Sequence, residues 1–419
     1  MRRRILFLSQ CLPYPPHSGV TNRTYHILKE LQRVFDVTLV AFSRHQHQPT
    51  AADRQRSTTV LRRELTKVME PVLIESERSF SRKLRVHASS VISRKPYIFF
   101  DYGNTAFGNE IEQAVHDNPP DLVHMDSMDL YRWLPALPAV PIACTHHNVE
   151  SDLLRGRGRH LRPRLAGAYV SHQGDLVENI ERELCGRFDL NIMTSDTDAE
   201  RLRVLAPSAR TSVVPNGVDV DFFAPREESS AIPGRLVFLG PTYMFPNRDA
   251  VNVFLSESWP AVREAIPTAT LHIIGKNATG DKERLEANFG VTALGYVPDV
   301  RPHFAEAECS IVPLRVGGGT RLKILDAWAM GKAIVSTSIG CEGLRTTDGE
   351  NILIRDDPRH FAEAVVSVLR DANLRRRLGD NGRKTAENIY AWSVVGGKIV
   401  SDYEGLLESA PRPLTSSVA

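Results

Sequence analysis

The chain has 419 residues and a formal net charge of +2, with 42% hydrophobic and 24% charged residues. This length is too great for one common hydrophobic core, so we expect two domains in a soluble globular protein. No apolar run approaches the roughly 18 residues that a membrane helix requires, which argues against a membrane-spanning protein. The five cysteines are an odd number without metal-ligand spacing, and we expect them to be reduced residues of the core or of strand ends.

The amino terminus resembles the start of a signal peptide, because three arginines precede the apolar residues 5–8. The apolar run stops at Ser9 and leads into a proline-rich loop. An export signal has a longer apolar region, so we interpret this run as a buried first strand. The expected location is the cytoplasm, either free or peripheral on the inner face of the membrane.

Basic residues are concentrated in the first half of the chain. Residues 1–210 contain 29 Lys and Arg against 24 Asp and Glu, whereas the remainder contains 23 against 26. Two clusters are prominent, one within residues 82–95 and one of five arginines interspersed with leucines within residues 155–164. A solvated surface explains this distribution, and contact with an anionic acceptor or an anionic membrane is the alternative.

Apolar runs alternate with amphipathic helices along the chain. Residues 5–9 and 36–41 are predicted strands on either side of a helix over 20–34, which makes a parallel βαβ unit. Pro, Ser and Glu accumulate over 207–233, where we place the linker between two α/β domains. Further strands are predicted at 122–125, 142–145, 190–194, 235–239, 270–274, 292–295, 309–314 and 333–336.

A glycine-rich loop, Gly317-Gly318-Gly319, joins the strand over 309–314 to a predicted helix over 323–330. Three glycines let backbone amides approach an anion, and the helix start adds partial positive charge. Arg321 and Lys323 supply full charges, so the loop predicts a diphosphate site. The spacing matches neither a Walker loop nor a dinucleotide fingerprint, and an ordinary glycine-rich turn is the alternative.

Continued through residue 337, this segment resembles the nucleotide-sugar glycosyltransferases of family 4. Residues 213–219 resemble the interdomain signature of that family, and residues 294–300 resemble its base-binding loop. The glycine-rich variant of the motif is typical of a bacterial subgroup linked to exopolysaccharide clusters. The resemblance implies the α/β GT-B fold, with two doubly wound Rossmann-like domains facing across a cleft.

The resemblance also implies roles for these domains. Residues 1–210 would form the acceptor-binding domain, completed by a helix over 393–410 that crosses back to it. Residues 211–392 would form the nucleotide-sugar domain.

In the first domain, candidate site residues follow the carboxyl ends of predicted strands, where ligands bind in doubly wound sheets. The resemblance places the backbone of Gly19 near the donor phosphate or the acceptor, and a simple turn into the helix is the alternative. Asp126 ends another strand. His147 is our choice for the group that contacts the sugar or the acceptor hydroxyl, and His146 is the alternative if the register differs by one residue.

In the second domain, the resemblance implies that Asp326 accepts hydrogen bonds from the ribose hydroxyls. Arg321 and Lys323 would stabilise the diphosphate, and we expect both side chains to be exposed to the cleft. Val297 lies in the segment that resembles the base-binding loop.

The sequence departs from the family pattern at two places. The first of two motif glutamates is replaced by Gly318, so the backbone amides of Gly318, Gly319 and Thr320 are expected to bind sugar or phosphate oxygens instead. The loop over 240–248 lacks the customary Arg and Lys pair. Asn247 in that loop is a candidate for the same pocket, with capping of a helix near residue 249 as its alternative.

We expect no metal and no cofactor other than the nucleoside-diphosphate sugar as co-substrate. Asp219-Val220-Asp221 has the spacing of a metal-binding triplet in other glycosyltransferases, but it follows an Asn-Gly turn outside the phosphate loop. The resemblance to GT-B enzymes implies that Arg, Lys and helix dipoles, instead of a metal, neutralise the leaving diphosphate.

The predicted function is retaining transfer of a sugar from a nucleoside-diphosphate sugar to a glycan or lipid-linked acceptor, in polysaccharide or glycoconjugate biosynthesis. Nucleic acid is not an expected partner. A GT-B-related sugar-nucleotide 2-epimerase is one alternative, and a catalytically silent nucleotide-binding or scaffold protein is the other.

Overall fold

The computed structural model describes residues 2–161, 163–225, 231–317 and 321–408. The chain divides into two compact units, which we call unit 1 (Met1–Pro215 with Gly396–Ala419) and unit 2 (Asn216–Val395). Each unit contains its own parallel β-sheet with helices between the strands. The two-sheet α/β architecture predicted from the sequence is confirmed.

Unit 1 contains an eight-stranded sheet in which neighbouring strands run parallel, in the order β3-β2-β1-β5-β6-β7-β8, with β4 pairing to β2. The strands are β1 (Arg4–Ser9), β2 (Asp36–Ser43), β3 (Lys67–Val68), β4 (Val72–Leu73), β5 (Leu122–Met125), β6 (Ile142–His146), β7 (Leu190–Met193) and β8 (Thr211–Val213). The helices are α1 (Gly19–Val34), α2 (Ala51–Glu64), α3 (Glu75–Arg78), α4 (Phe80–Ser93), α5 (Tyr97–Asp101), α6 (Thr105–Asp117), α7 (Glu150–His160), α8 (Arg164–Leu184) and α9 (Asp196–Leu205), with a 3-10 segment over Met128–Ala136.

Local sequence explains how α1 is fixed to the sheet of unit 1. Ser18 caps the helix, because its hydroxyl accepts a hydrogen bond from the Thr21 amide while the Thr21 hydroxyl accepts one from the Ser18 amide. Ile27, Leu28 and Leu31 form a buried stripe at helical spacing. The helix therefore begins directly after the loop that leaves β1, at the carboxyl edge of the sheet.

Unit 2 contains a six-stranded parallel sheet in the order β11-β10-β9-β12-β13-β14. The strands are β9 (Arg235–Leu239), β10 (Thr270–Ile274), β11 (Val291–Gly295), β12 (Cys309–Val312), β13 (Ala333–Ser336) and β14 (Leu353–Ile354). The helices are α10 (Phe245–Val253), α11 (Trp259–Ala265), α12 (Asp281–Glu286), α13 (Arg301–Glu306), α14 (Leu322–Ala329), α15 (Pro358–Arg370), α16 (Ala372–Thr385) and α17 (Trp392–Glu408), with π-helical turns at Phe254–Ser258 and Ala386–Tyr390 and a 3-10 turn at Ile339–Cys341. From Gly396 onward α17 belongs to unit 1.

The strand order in unit 2 reverses at β9, whose neighbours are β10 on one side and β12 on the other. Connections that leave two adjacent strands in opposite directions open a crevice at their carboxyl ends. Leu236, Val237 and Phe238 of β9 are fully buried and form the floor beneath that crevice. The loops after β9 and β12 therefore begin at this crevice, and a ligand bound in the crevice would contact them.

Other sequence-based expectations can be compared directly with the structure. All five cysteines are free and buried, as predicted. The predicted strand over 309–314 ends earlier, at Val312. Among the described helices, none has the length and apolar character needed to cross a bilayer.

Candidate functional site

The crevice of unit 2 contains a lysine held by polar and aromatic contacts. Lys323, in the first turn of α14, donates a hydrogen bond from Nζ to Oδ1 of Asn247 at 2.9 Å. The same Nζ lies 4.6 Å from the centre of the Phe238 ring, at the cation–π distance. The lysine is half-buried. Its amine therefore has a defined position at the edge of the sheet.

Two glycines allow the loops after β9 and β10 to approach this lysine closely. A Cβ atom on Gly240 would lie 2.8 Å from Nζ of Lys323, and one on Gly275 would lie 2.6 Å from the carbonyl carbon of Gly240. Both distances are shorter than real Cβ contacts. Gly275 also has a φ of 134°, which side chains disfavour. Glycine is thus required at position 275, and a side chain at position 240 would displace the Lys323 amine and the Asn247 amide.

Burial changes the proton affinity of two groups on α14. Desolvation by burial, assisted by the nearby charge of Arg321, lowers the pKa of Lys323 to about 7. Desolvation raises the pKa of Asp326 to about 7. Asp326 is half-buried, and no described residue hydrogen-bonds its carboxylate. Both groups can therefore change charge near neutral pH when a ligand arrives.

The expectation that Arg321 and Lys323 are both exposed is wrong. Arg321 is only 7% exposed, and its Nε and Nη2 donate to the backbone oxygen of Ile339 at 3.2 and 3.1 Å. The apolar start of α14 draws the side chain inward, where the Ile339 carbonyl needs a donor. Lys323 remains at the crevice but is half-buried. Their roles toward a diphosphate stay predictions.

Asn247 does not cap a helix, so the alternative given for it is wrong. Helix α10 begins two residues earlier, at Phe245, and the residue at its N-cap position, Met244, makes no side-chain cap. Asn247 is buried in the first turn, where Nδ2 donates to the Pro241 oxygen at 3.1 Å and Oδ1 accepts from Lys323. The amide therefore orients the lysine toward the loop after β9.

The remaining candidates of unit 2 have different positions. Val297 is half-buried and packs against the hydrophobic core, beside Tyr296, which is 78% exposed. Gly318, Gly319 and Thr320 lie outside the described residues. Asp219 of the Asp-x-Asp triplet accepts hydrogen bonds from the backbone amides of Asp221 and Phe222. That carboxylate thus stabilises a turn.

In unit 1, Asp126 directly follows β5 and is only 2% exposed. The Thr24 hydroxyl donates to its Oδ2 at 2.5 Å, and Nε2 of His147 lies 3.7 Å from its Oδ1. Burial alone would raise the pKa of Asp126, but the neighbouring His147 and His124 outweigh burial and hold it below its usual range. Asp126 is therefore a buried carboxylate that stays ionised.

The two histidines after β6 face different surroundings. His147 is half-buried and donates from Nε2 to the backbone oxygen of Asp126 at 2.8 Å. His146 is buried, and its Nε2 shares a hydrogen bond with Asn191 Oδ1 at 3.0 Å. Burial lowers the pKa of His146 to about 4, so its ring is neutral at physiological pH. Gly19 is exposed at the first position of α1. His147 therefore contacts Asp126, whereas His146 is hydrogen-bonded to Asn191 of the neighbouring strand β7.

Sequence reasoning missed several groups around Asp126. His124 stacks on Phe7 and shares a hydrogen bond with the Tyr403 hydroxyl, and its Nε2 lies 3.6 Å from the Asp126 carboxylate. The spacing of His124 in β5 and Asp126 directly after it could have revealed this pair, since residues two apart in extended chain share a face. Nothing in the sequence signals Tyr403, which comes 279 positions after His124.

A second carboxylate at this edge also escaped the sequence analysis. Burial, followed by the charge of Asp129, raises the pKa of Glu150 to about 7. Glu150 begins α7, directly after the loop that carries His147. Unit 1 therefore offers a histidine and two carboxylates with different proton affinities after β5 and β6.

Family models match both units of the chain. The model described as Glycosyltransferase Family 4 matches residues 17–222, and the model described as Glycosyl transferases group 1 matches residues 233–371. The chain belongs to the family 4 glycosyltransferases. Its two parallel sheets are those of the GT-B fold.

Individual relatives of this family 4 glycosyltransferase are distant. A phosphatidyl-myo-inositol mannosyltransferase of Mycobacterium tuberculosis is 28% identical over 58% of the chain, which spans 65% of that relative's length. The lipopolysaccharide core biosynthesis glycosyltransferase LpsE of Rhizobium meliloti is 29% identical over 35% of the chain and 44% of its own length. The structure of HepE from Anabaena in complex with UDP has a TM-score of 0.65 at 14% identity, covering 96% of this chain and all of HepE.

We predict that binding of UDP or GDP weakens as pH rises above about 7, the pKa of Lys323. Above that pH the amine is uncharged and must take up a proton to pair with phosphate, which costs up to tenfold in affinity per pH unit. Calorimetric titrations between pH 6 and 9 would measure the slope. Lys323→Met should remove much of it, whereas Lys384→Met, at an exposed position, should retain it. An unchanged slope in Lys323→Met would contradict the assignment.

Arg321→Met should destabilise unit 2 by about 1–3 kcal/mol, because the buried oxygen of Ile339 loses a charged donor. Thermal or urea unfolding, monitored by circular dichroism, would measure this change. Arg359→Met, at a position where the side chain is 85% exposed, is the matched control and should unfold like the wild type. Equal stability of the two variants would show that the Arg321 contact contributes little.

Proposed function

We propose that this protein transfers a sugar from a nucleoside-diphosphate sugar to a glycan or lipid-linked acceptor, with retention of the anomeric configuration. The proposal includes a place in the biosynthesis of a bacterial polysaccharide or glycolipid. Family membership supports the reaction class. Similarity to the mycobacterial phosphatidyl-myo-inositol mannosyltransferase and to the lipopolysaccharide core glycosyltransferase LpsE supports the acceptor class.

The observation that carries the donor assignment is the position of Lys323. Its amine lies at the crevice where the strand order of unit 2 reverses, and Asn247 fixes its direction. Such crevices bind nucleotides in doubly wound sheets. A diphosphate beside the amine would raise its pKa from about 7 and restore its charge. Binding of the donor would thus create the cation that the reaction needs.

The proposed chemistry follows from charge development. Breaking the bond between the sugar and the diphosphate leaves negative charge on phosphate and a positively charged, oxocarbenium-like sugar. Lys323 would stabilise the phosphate, and Arg321, two residues before it in the sequence, would add to the positive potential. The acceptor hydroxyl attacks from the face that the diphosphate leaves, and its proton passes to a phosphate oxygen. No protein nucleophile is required.

Asp326 has a complementary role in the proposal. Its carboxylate has no hydrogen-bond partner among the described residues, and two vicinal ribose hydroxyls would supply donors. Such donors favour the ionised form, so ribose binding would lower the raised pKa of Asp326. The nucleoside and the diphosphate would therefore each fix the charge of one residue on α14.

On the acceptor side, we assign the contact to the acceptor or the sugar to His147. The His147 side chain is 9% exposed, and its Nε2 hydrogen bond to the Asp126 backbone oxygen leaves Nδ1 as the other polar atom. Asp126 acts as a positioning residue, because its carboxylate is buried among Thr24 and two histidines. His147→Gln should therefore reduce transfer more than it reduces nucleotide binding.

The decisive experiment screens UDP- and GDP-sugars for binding by thermal shift and then for transfer to lipid-linked and free oligosaccharides. We expect one donor to stabilise the protein and its sugar to appear on an acceptor with the donor's anomeric configuration, as read by NMR. Lys323→Met should lower turnover about a hundredfold, the usual effect of removing one preorganised contact to a developing anion. Lys384→Met is the control.

Other outcomes would select a different function. Epimerised free nucleotide sugar in the absence of acceptor would identify an epimerase, and binding without any turnover would identify a silent binding protein. We propose that transfer needs no metal, so activity should persist in excess EDTA. Activity that EDTA abolishes and magnesium or manganese restores would contradict that part of the proposal.

We also propose that unit 1 contacts anionic membranes through α4, which would bring a lipid-linked acceptor within reach. Phe80, Leu84 and Ile92 on this helix are 83%, 62% and 84% exposed, and Lys83 and Arg85 beside them are exposed cations. Apolar side chains that insert and cations that attract anionic headgroups are the composition of an interfacial helix.

The arginine cluster over 155–164 is less suited to this contact than the sequence indicated. Arg155 is paired with the carboxylates of Asp175 and Glu178, and Arg162 lies outside the described residues. Arg157, Arg159 and Arg164 are exposed.

Sedimentation with vesicles would test the contact made by α4. The wild type should bind phosphatidylglycerol vesicles at low salt and not phosphatidylcholine vesicles. Two double variants should each bind at least tenfold more weakly. Lys83→Glu with Arg85→Glu removes basic residues that contribute about 1 kcal/mol each. Phe80→Ser with Leu84→Ser removes two apolar side chains that insert into the membrane. Arg359→Glu with Lys384→Glu, two exposed positions of unit 2, is the charge-matched control. Undiminished binding by both α4 variants would exclude this helix.

A further inference from the structure

Unit 2 contains a cluster of potential metal ligands away from the donor crevice. His272 is the middle residue of β10, whereas His303 and Glu306 are three residues apart on α13 and therefore share one face of that helix. One ligand atom from each residue can be chosen so that all three lie within 4.8 Å of one another. Strand and helix thus bring together two imidazoles and a carboxylate.

Both imidazoles have an unsatisfied nitrogen. Nδ1 of His272 and Nδ1 of His303 are buried, and neither has a hydrogen-bond partner among the described residues. The two ring centres are 6.2 Å apart, with the planes at 67°. A buried polar atom without a partner costs about 1–3 kcal/mol, so two in one cluster require an explanation. A bound cation that accepts their lone pairs would supply the missing interactions.

Glu306 completes the cluster from the solvent side. Its Oε2 accepts a hydrogen bond from Nη1 of Arg235 at 2.7 Å, while no described residue hydrogen-bonds its Oε1. Arg235 thereby orients the carboxylate, as partners of metal ligands commonly do. The side chain of Glu306 is 39% exposed, which leaves an entry path for an ion.

The charges of the cluster indicate which metals it would select. Metal binding uses the neutral form of both imidazoles, and in that form the carboxylate and the Arg235 guanidinium cancel, so electrostatic attraction for a cation is weak. Magnesium and calcium depend on anionic oxygen ligands and are disfavoured. Zinc, cobalt, nickel and copper bind imidazole strongly and are favoured.

We propose that His272, His303 and Glu306 bind one divalent transition-metal ion of the zinc class, which fastens α13 to β10. Zinc ligands in a tetrahedron are about 3.4 Å apart, so ligand atoms that now lie within 4.8 Å of one another must approach by at most about 1.4 Å on binding. Three protein ligands leave a fourth position for water.

This ion would stabilise the fold and take no part in sugar transfer. Arg235 is the first residue of β9 and pairs in register with Thr270, so the cluster lies toward the amino-terminal edge of the sheet. Lys323 and Asn247 lie beyond the carboxyl ends of the strands. Zinc binding and nucleotide binding should consequently be independent of each other.

Equilibrium dialysis of untagged, chelator-treated protein against zinc would test the proposal, with magnesium as the comparison ion. The wild type should bind one zinc per chain and no magnesium, and its melting temperature should rise by a few degrees with zinc alone. His303→Gln and Glu306→Gln should each bind zinc at least tenfold more weakly. His360→Gln, at a position where the side chain is 65% exposed, is the control and should bind like the wild type.

Two results would overturn the proposal. One is the absence of a zinc-specific shift and of stoichiometric zinc in the wild type. The other is unchanged zinc binding in Glu306→Gln, whose exposed position allows the variant to fold even if His303→Gln does not. UDP or GDP binding should be equal in zinc-loaded and zinc-free protein, which separates this test from that of the sugar transfer.

Discussion

The positions of the polar groups at the crevice of unit 2 depend on two features of its sheet. The six strands run parallel, and the strand order reverses at β9. Because all strands point the same way, the loops after β9, β10 and β12 meet at one edge. Their approach is closer than any side chain would allow at Gly240 and Gly275. This tight packing removes water from the base of Lys323, which is why its amine holds a proton less firmly than an exposed lysine does.

Unit 1 uses the same arrangement with different chemistry. Asp126 and His147 follow two adjacent parallel strands, β5 and β6, and therefore come within hydrogen-bonding reach although 21 positions separate them. A cation and a neutral amide lie at the edge of unit 2, whereas an ionised carboxylate and a histidine lie at the edge of unit 1. One sheet topology thus supplies the two edges to which we assign the donor diphosphate and the acceptor hydroxyl.

The sequence predicted the central strands well, because buried parallel strands appear as short apolar runs. It did not predict β3, β4, β8 and β14, since segments of two or three residues carry no periodicity. Motifs and strand ends in the sequence indicated the candidate site residues, but they did not indicate how deeply each side chain is buried. Burial depends on distant partners: the carbonyl that holds Arg321 comes 18 residues later, and the hydroxyl that meets His124 comes from α17. The three ligands of the histidine cluster likewise come from two separate segments, β10 and α13, with no shared motif.

The hydrogen bond between Tyr403 and His124 means that unit 1 cannot complete its folding until α17 has been synthesised. Ile399, Tyr403 and Leu406 of α17 are almost completely buried, so this helix forms part of the unit's interior. A ribosome delivers residues 1–215 first and all of unit 2 before α17 emerges. During that interval the nascent first unit must keep an open apolar groove, and Nδ1 of His124 lacks its Tyr403 partner. A fragment that ends at Pro215 would carry the same defect permanently, and an autonomous unit 1 would need residues 396–408 attached through a new connection.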